Sequence, residues 1–302
     1  MNNMKIFHQL TWTLLLACVA TACSSGGNEE EPLPERIPIT LNCGITATRA
    51  TDTGFENGDR IGLYVVNYEG ATPGALLPSG NHADNAAFTY DGRWTPATPL
   101  YWLDETTPAD FYCYYPYSNA AGDPAAWSFA VKADQSSEAA YKASDFLWGK
   151  AANVKPTVNA VNITMRHVLS CAAVQVVAGN GFTEEDLAEA DIQVRLNGLA
   201  LQAAIDLNDG TVTADGTPSG ISLLRGDGNA FKALVVPQTV PEADEFLTVT
   251  IDGEDFHMPK GFTFVSGKRH TFTVTVRKLS TGINIDISGW EDDGIDNGGV
   301  AQ

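Results

Sequence analysis

Nearly every stretch of this chain that favours regular structure is short, rich in β-branched and aromatic residues, and closed off by Gly, Pro, Asn or Asp. Ile37, Ile39, Leu41, Cys43 and Ile45 alternate with Pro38, Thr40, Asn42 and Gly44. That period of two predicts a strand with one apolar face. The turn Glu56-Asn57-Gly58-Asp59 announces a second strand, Arg60-Ile61-Gly62-Leu63-Tyr64-Val65-Val66. Comparable segments follow at 87–90, 110–117, 126–131, 145–149, 161–165, 170–177, 192–196, 203–207, 231–236, 246–251, 270–276 and 282–287. Asp91-Gly92, Asn208-Asp209-Gly210 and Asp252-Gly253 mark hairpin turns. The one helical signal is Thr183 with Asp186 three residues on. Strands without alternating long helices exclude a doubly wound sheet and predict an all-β chain. The 302 residues exceed one small domain. Two β-sandwich domains of short antiparallel strands in tandem are therefore expected, joined through a loop at 150–157, with an N-terminal sandwich at 37–157 and a C-terminal one at 158–302.

The segment before the first strand carries a different signal. Lys5 supplies a positive start, residues 6–22 an apolar stretch, and Ala20, Thr21 and Ala22 the small residues a signal peptidase requires. Cys23 comes next and is followed by Ser24-Ser25-Gly26-Gly27-Asn28-Glu29-Glu30-Glu31. The arrangement reads as a bacterial lipoprotein signal at 1–22, a lipidated Cys23 and an acidic tether through 36. Ala20 stands where Leu is usual, and Cys18 is the competing position; an ordinary secretory signal is the alternative. The acidic run resembles the surface-export tether of bacterial lipoproteins, which implies a location at the outer membrane, exposed at the cell surface.

Composition narrows the chemistry. Beyond residue 22 the chain carries 17 basic and 37 acidic side chains, a balance that argues against nucleic-acid binding, because phosphate contacts need Lys and Arg. Cys43, Cys113 and Cys171 remain in the body, with no CxxC pair, and read as small buried apolar residues, a disulfide between two of them being the alternative. His82, His167, His257 and His270 stand at no metal-ligand spacing. The loops at 206–210 and 292–296 lack the full ligand alternation of a calcium site. Arg225-Gly226-Asp227 spells a tripeptide that some adhesion receptors read, in an expected loop. The aromatic residues Tyr112, Tyr114, Tyr115, Tyr117, Trp94 and Trp102 alternate as core residues do. No catalytic residue, metal or cofactor is predicted; the chain reads as a binding or structural protein, not an enzyme.

An ordered series of motifs then carries a resemblance. Phe55-Glu56-Asn57-Gly58-Asp59-Arg60-Ile61-Gly62-Leu63-Tyr64-Val65, Tyr90-Asp91-Gly92-Arg93-Trp94, Pro99-Leu100-Tyr101-Trp102 and Asp110-Phe111-Tyr112-Cys113-Tyr114-Tyr115-Pro116-Tyr117 are followed by Ser144-Asp145-Phe146-Leu147-Trp148-Gly149. Met165-Arg166-His167-Val168-Leu169-Ser170, Ala233-Leu234-Val235-Val236-Pro237-Gln238-Thr239 and Ile287-Ser288-Gly289-Trp290-Glu291-Asp292 complete it. Together they resemble the fimbrillins, subunits and accessory proteins of type V pili of Bacteroidota, in the Mfa-like branch. The resemblance implies transthyretin-like sandwiches, export as a lipoprotein, cleavage behind the first strand by a trypsin-like, Arg-specific protease, and assembly with other fimbrial subunits by strand donation. Arg49-Ala50 is the matching bond, and residues 37–46 the strand that would leave; the alternative keeps that strand as a permanent edge. Ile283, Ile285 and Ile287 are the candidate donor face, or else an ordinary last strand. A host or bacterial surface ligand is the remaining implied partner. A non-polymerising surface lipoprotein of the same fold, binding a glycan or host protein, is the alternative function.

Overall fold

The computed structural model describes residues 36–46, 54–120, 122–279 and 282–286. The chain is all-β apart from two short helices. Its first elements are β1 (Leu41–Ile45), β2 (Arg60–Glu69), β3 (Thr72–Pro73), β4 (Ala83–Tyr90), β5 (Trp94–Pro96), β6 (Ala109–Tyr115) and β7 (Trp127–Ala130). Helix α1 (Glu138–Lys142), β8 (Leu147–Val154), β9 (Val161–His167), β10 (Ser170–Ala178), α2 (Glu184–Glu189), β11 (Ile192–Leu199) and β12 (Gln202–Asp206) follow. The chain continues through β13 (Thr211–Asp215), β14 (Ser219–Ser222), β15 (Leu224–Arg225), β16 (Ala230–Val235), β17 (Gln238–Ile251), β18 (Glu254–Phe264), β19 (Arg269–Leu279) and β20 (Gly282–Asp286).

The largest sheet runs β1-β9-β8-β6-β2-β4-β5, with β3 paired to β2. Both faces are covered at its centre, where every residue of β6 is buried, whereas β1 and β9 alternate buried and exposed residues. Along β6, Ala109, Phe111, Cys113 and Tyr115 enter one core together with Ile61, Leu63 and Val65 of β2. The alternate residues Tyr112 and Tyr114 enter a second, larger core shared with β10 to β19. Period-two alternation thus supplies two apolar surfaces rather than one apolar and one wet. Gly62 lies opposite Tyr114, and a Cβ built there would stand 2.1 Å from the Cε1 of the tyrosine ring. Gly62→Ala is expected to displace the buried Tyr114 and to cost about 1–3 kcal/mol by overpacking, read as a lowered denaturation midpoint.

The later residues form a sheet β15-β16-β10-β19-β20 and a sheet β14-β11-β17-β18. The expectation of short antiparallel strands needs correcting in two respects. β1 with β9 and β10 with β19 are parallel ladders, and the β17–β18 hairpin has arms of 14 and 11 residues. Parallel pairing joins segments far apart in sequence, so no local turn announces it. The expected loop at 150–157 is also shorter, because Lys150, Ala151 and Val154 belong to β8 and pair with β6.

Elements on either side of residue 157 are interleaved. β9 pairs with β8 and β1, and β7 pairs with β12 in a three-stranded sheet with β13. Gln135, fully buried, donates to the Leu234 carbonyl and accepts from its N–H, each at 2.8 Å. Trp148 donates through Nε1 to the Leu207 carbonyl at 2.8 Å. Gly210 has φ +78° and would set a Cβ 2.7 Å from the Trp148 ring, so glycine is required there both by conformation and by contact. Helix α2 carries the expected capping box between Thr183 and Asp186. Helix α1 was not expected; Ser137 caps it and Tyr141 anchors it in the core.

Candidate functional site: the seat of the first strand

The first strand fills a groove. Ile39, Leu41 and Cys43 point into the core, 2%, 6% and 7% exposed. They pack in one cluster with Ile61, Leu63, Phe88, Trp94, Trp102 and Phe111, and Ile37 and Ile45 are half-buried at its ends. The wall beside them is β9, in parallel register from Leu41 opposite Val161 to Ile45 opposite Met165. Val161 donates to the Thr40 carbonyl at 2.8 Å and Thr46 to the Met165 carbonyl at 2.7 Å. At the other end Ile39 donates to Leu100 at 2.8 Å and Trp102 to Ile37 at 2.9 Å. Trp94 closes the seat by donating its Nε1 to the Cys43 carbonyl at 3.2 Å.

Two properties of this seat matter. The strand lies at the edge of its sheet, laddered along 41–45 by β9 alone, with further backbone bonds to Leu100 and Trp102 before it. Its side chains are nevertheless core residues, and its absence would leave an apolar trough lined by Val161, Ile163, Met165, Trp94, Trp102 and Phe111. An edge with unpaired backbone groups over an apolar trough accepts another extended segment. The indole Nε1 of Trp102 lies buried in the same core without a hydrogen-bond partner.

Beside the end of β1 opens a cavity of about 570 Å³, lined by Ile45, Phe55, Tyr115, Tyr141, Leu147 and His167. Lys142 on its rim is bound to Glu56 at 2.7 Å and stands 3.5 Å from Asp59. The Glu56 carboxylate raises the lysine pKa first, with Asp59 assisting against burial. Burial, and then the charge of Asp59, pushes the Tyr115 hydroxyl upward. His167 is hydrogen-bonded to Asp145 at 3.0 Å, a structural pairing as expected. These groups satisfy one another, and no nucleophile with an adjacent base stands among them.

The remaining expected residues fall as follows. Ile37, Ile39, Leu41, Cys43 and Ile45 are brought together in the seat. Ile283 and Ile285 lie on β20, opposite Lys278 and Val276 of β19 at the edge of their sheet. Cys23, Arg49, Ala50 and Ile287 lie outside the described residues. Tyr112, Tyr114, Tyr115, Trp94 and Trp102 are buried in the cores. Arg225 donates to Gly228, Ala190 and Asn229, so its guanidinium is engaged within its own neighbourhood. At 206–210 the Asp206 and Asp209 carboxylates accept from the Asn208 and Thr211 N–H groups at 2.8 Å, ordinary turn chemistry. Sequence reasoning had read 161–165 as a strand but not as the wall of the seat; nothing local specifies that partner.

Comparison with known proteins adds the following. The fimbrillin-like family model matches residues 48–290. A Bacteroides uniformis protein named as a candidate fimbrium subunit, Fim1C, is 28% identical over 296 residues, covering 93% of this chain and 94% of its own. The crystal structure of a candidate cell adhesion protein from Bacteroides ovatus matches with a TM-score of 0.65 at 17% identity, over 84% of this chain and 96% of its own. Another such protein, from Bacteroides uniformis, matches with 0.60 at 20%, over 85% and 97%. At these identities the two crystal structures bear on the fold alone.

Proposed function

The chain belongs to the fimbrillin-like family, and on that premise we propose that it is a fimbrial subunit of the cell surface, structural and adhesive rather than enzymatic. In this reading it is exported as a lipoprotein through Cys23 and held at the outer membrane by that lipid. A trypsin-like, Arg-specific protease then cuts between Arg49 and Ala50, the strand at 37–46 leaves, and a strand from another fimbrial subunit fills the seat. The body comprises two sandwich-type halves, 37–157 and 158–302, with β7 and β9 each lent across the junction.

One observation carries the reading: β1 supplies core side chains yet is laddered to a single neighbour. Folding with the strand in place keeps the trough dry in the precursor, and the incoming strand restores both apolar contacts and backbone bonds. The test is Arg49→Ala on the exported protein. The wild type is expected to show a mature N-terminus at Ala50 and a ladder of assembled forms. The variant is expected to keep Cys23 at its N-terminus and to lose the ladder; a mature variant still starting at Ala50 would sink the proposal.

The position of β20 favours a second reading. It is already hydrogen-bonded to β19, so it would have to leave its own sheet to serve as a donor. A resident surface lipoprotein that binds a glycan or host protein without polymerising fits that arrangement, and retention of Cys23 in the wild-type mature protein would select it.

A further inference from the structure

We propose that the seat of the first strand is completed by an incoming strand whose inward face carries a hydroxyl or amide acceptor opposite Trp102, a group the resident strand lacks. The inference rests on the strand-release reading above and names the chemistry of the strand that enters. Trp102 is 3% exposed and shares one core with Ile37, Ile39 and Leu41. Its indole Nε1 is buried and meets no hydrogen-bond acceptor among the described residues. A buried N–H left in that state has given up its bond to water without replacing it, and such groups are few in folded proteins.

The backbone places the missing acceptor. Pro38 and Tyr101 form an antiparallel bridge. On one side of it Trp102 donates its backbone N–H to the Ile37 carbonyl at 2.9 Å, and on the other Ile39 donates to the Leu100 carbonyl at 2.8 Å. Ile37 therefore lies opposite Trp102, and Ile39 opposite Leu100, on the face that Pro38 and Tyr101 turn away from. Ile37, Ile39 and Leu41 carry carbon and hydrogen alone, so none of their side chains accepts the indole proton. Trp94, the other indole of the seat, differs: it donates to the Cys43 carbonyl at 3.2 Å. Every strand that enters offers backbone carbonyls, so Trp94 holds an occupant without regard to its sequence. Trp102 selects a side chain. Ile37 is half-buried, so a hydroxyl at that point accepts from the indole and gives its own proton to solvent.

The resident strand is thus a provisional occupant. It keeps the core closed but leaves one buried donor unmet. A strand bearing Ser, Thr, Asn or Gln opposite Trp102, within an otherwise apolar inward row, supplies the missing bond and displaces it. Exchange thereby acquires a direction, and a single polar side chain separates the fitting strand from apolar competitors.

The experiment compares Thr with Val at position 37, two side chains of nearly one shape that differ by the hydroxyl. In the full chain, I37T is expected to unfold at a higher urea midpoint than I37V. Its Trp102 Nε1 proton, followed in the 15N-labelled protein, is expected to lie downfield of that in I37V. In a W102F background the order of midpoints is expected to reverse, because the hydroxyl then has no donor beside it; should W102F not fold, the indole resonance alone identifies the donor. A midpoint for I37T at or below that of I37V, or an unmoved indole proton, overturns the proposal. The full chain is then nicked behind the first strand by limited trypsin and incubated with labelled peptide 36–46 carrying I37T or I37V. The Thr peptide is expected to be retained roughly tenfold more tightly. Equal retention overturns the proposal. A Thr preference in the intact chain with no entry of either peptide into the nicked one sustains the unmet donor and instead rejects strand release.

Discussion

A chain beginning at Ala50 is expected to lose on the order of 4–7 kcal/mol of stability relative to one that retains residues 36–49, at the usual value of a fully buried aliphatic side chain. Ile39 and Leu41 carry most of that figure, and Cys43 the rest. The loss approaches the whole stability of an ordinary domain. The truncated protein is therefore expected to bind a hydrophobic dye, to melt at a markedly lower temperature and to self-associate through the open trough. Peptide 36–46 added in trans is expected to restore the melting temperature, because the seat is completed by backbone bonds to Val161, Leu100 and Trp102 that any extended segment could make. The comparison is a thermal scan of the truncated chain with and without peptide. An unchanged midpoint on truncation would show that the strand is dispensable to the core.

The second large effect separates the trough from its occupant. Phe111 is fully buried at the centre of the sheet, edge-on to Trp102 at 5.4 Å between ring centres. Phe111→Ala removes a ring from the first core and leaves a cavity beneath β1. A cost of about 3–5 kcal/mol is expected in chemical denaturation, in the intact chain and in the truncated chain with peptide alike. The peptide is expected to bind the variant more weakly, because one wall of the trough is then missing. A variant whose denaturation midpoint matches the wild type would refute the placement of Phe111 at the heart of this core.

The two effects follow from features that differ in how visible they were. The strands of β2, β6, β9 and β11 are legible because Val, Ile and Tyr alternate or run between turn residues, and alternation is a local property of the backbone. The capping box of α2 is legible for the same reason: Thr183 and Asp186 are three residues apart. Helix α1 was missed because a five-residue helix has too little periodicity to register. The full burial of β6 was only half legible. Its aromatic run announced a core strand, but nothing in it said that the second face would pack on Trp127 and Phe146 in a second core.

The first strand shows the same division. Its alternation, from Ile37 to Ile45, and the flanking Arg36 and Arg49 could be read directly, and so could Cys23 with its acidic tether. Its parallel pairing with β9 and its seat between Trp94 and Trp102 could not. The sequence by itself determined the class of fold and one apolar face of the alternating strands, since these depend on period and composition along a few residues. Only the tertiary structure decided which strands are neighbours, that β7 and β9 cross the expected junction, and that the first strand fills a core lined by Trp94, Trp102 and Phe111. Those choices depend on closing the chain over 70 to 120 residues, where many pairings satisfy the same local pattern and packing of the two cores selects one.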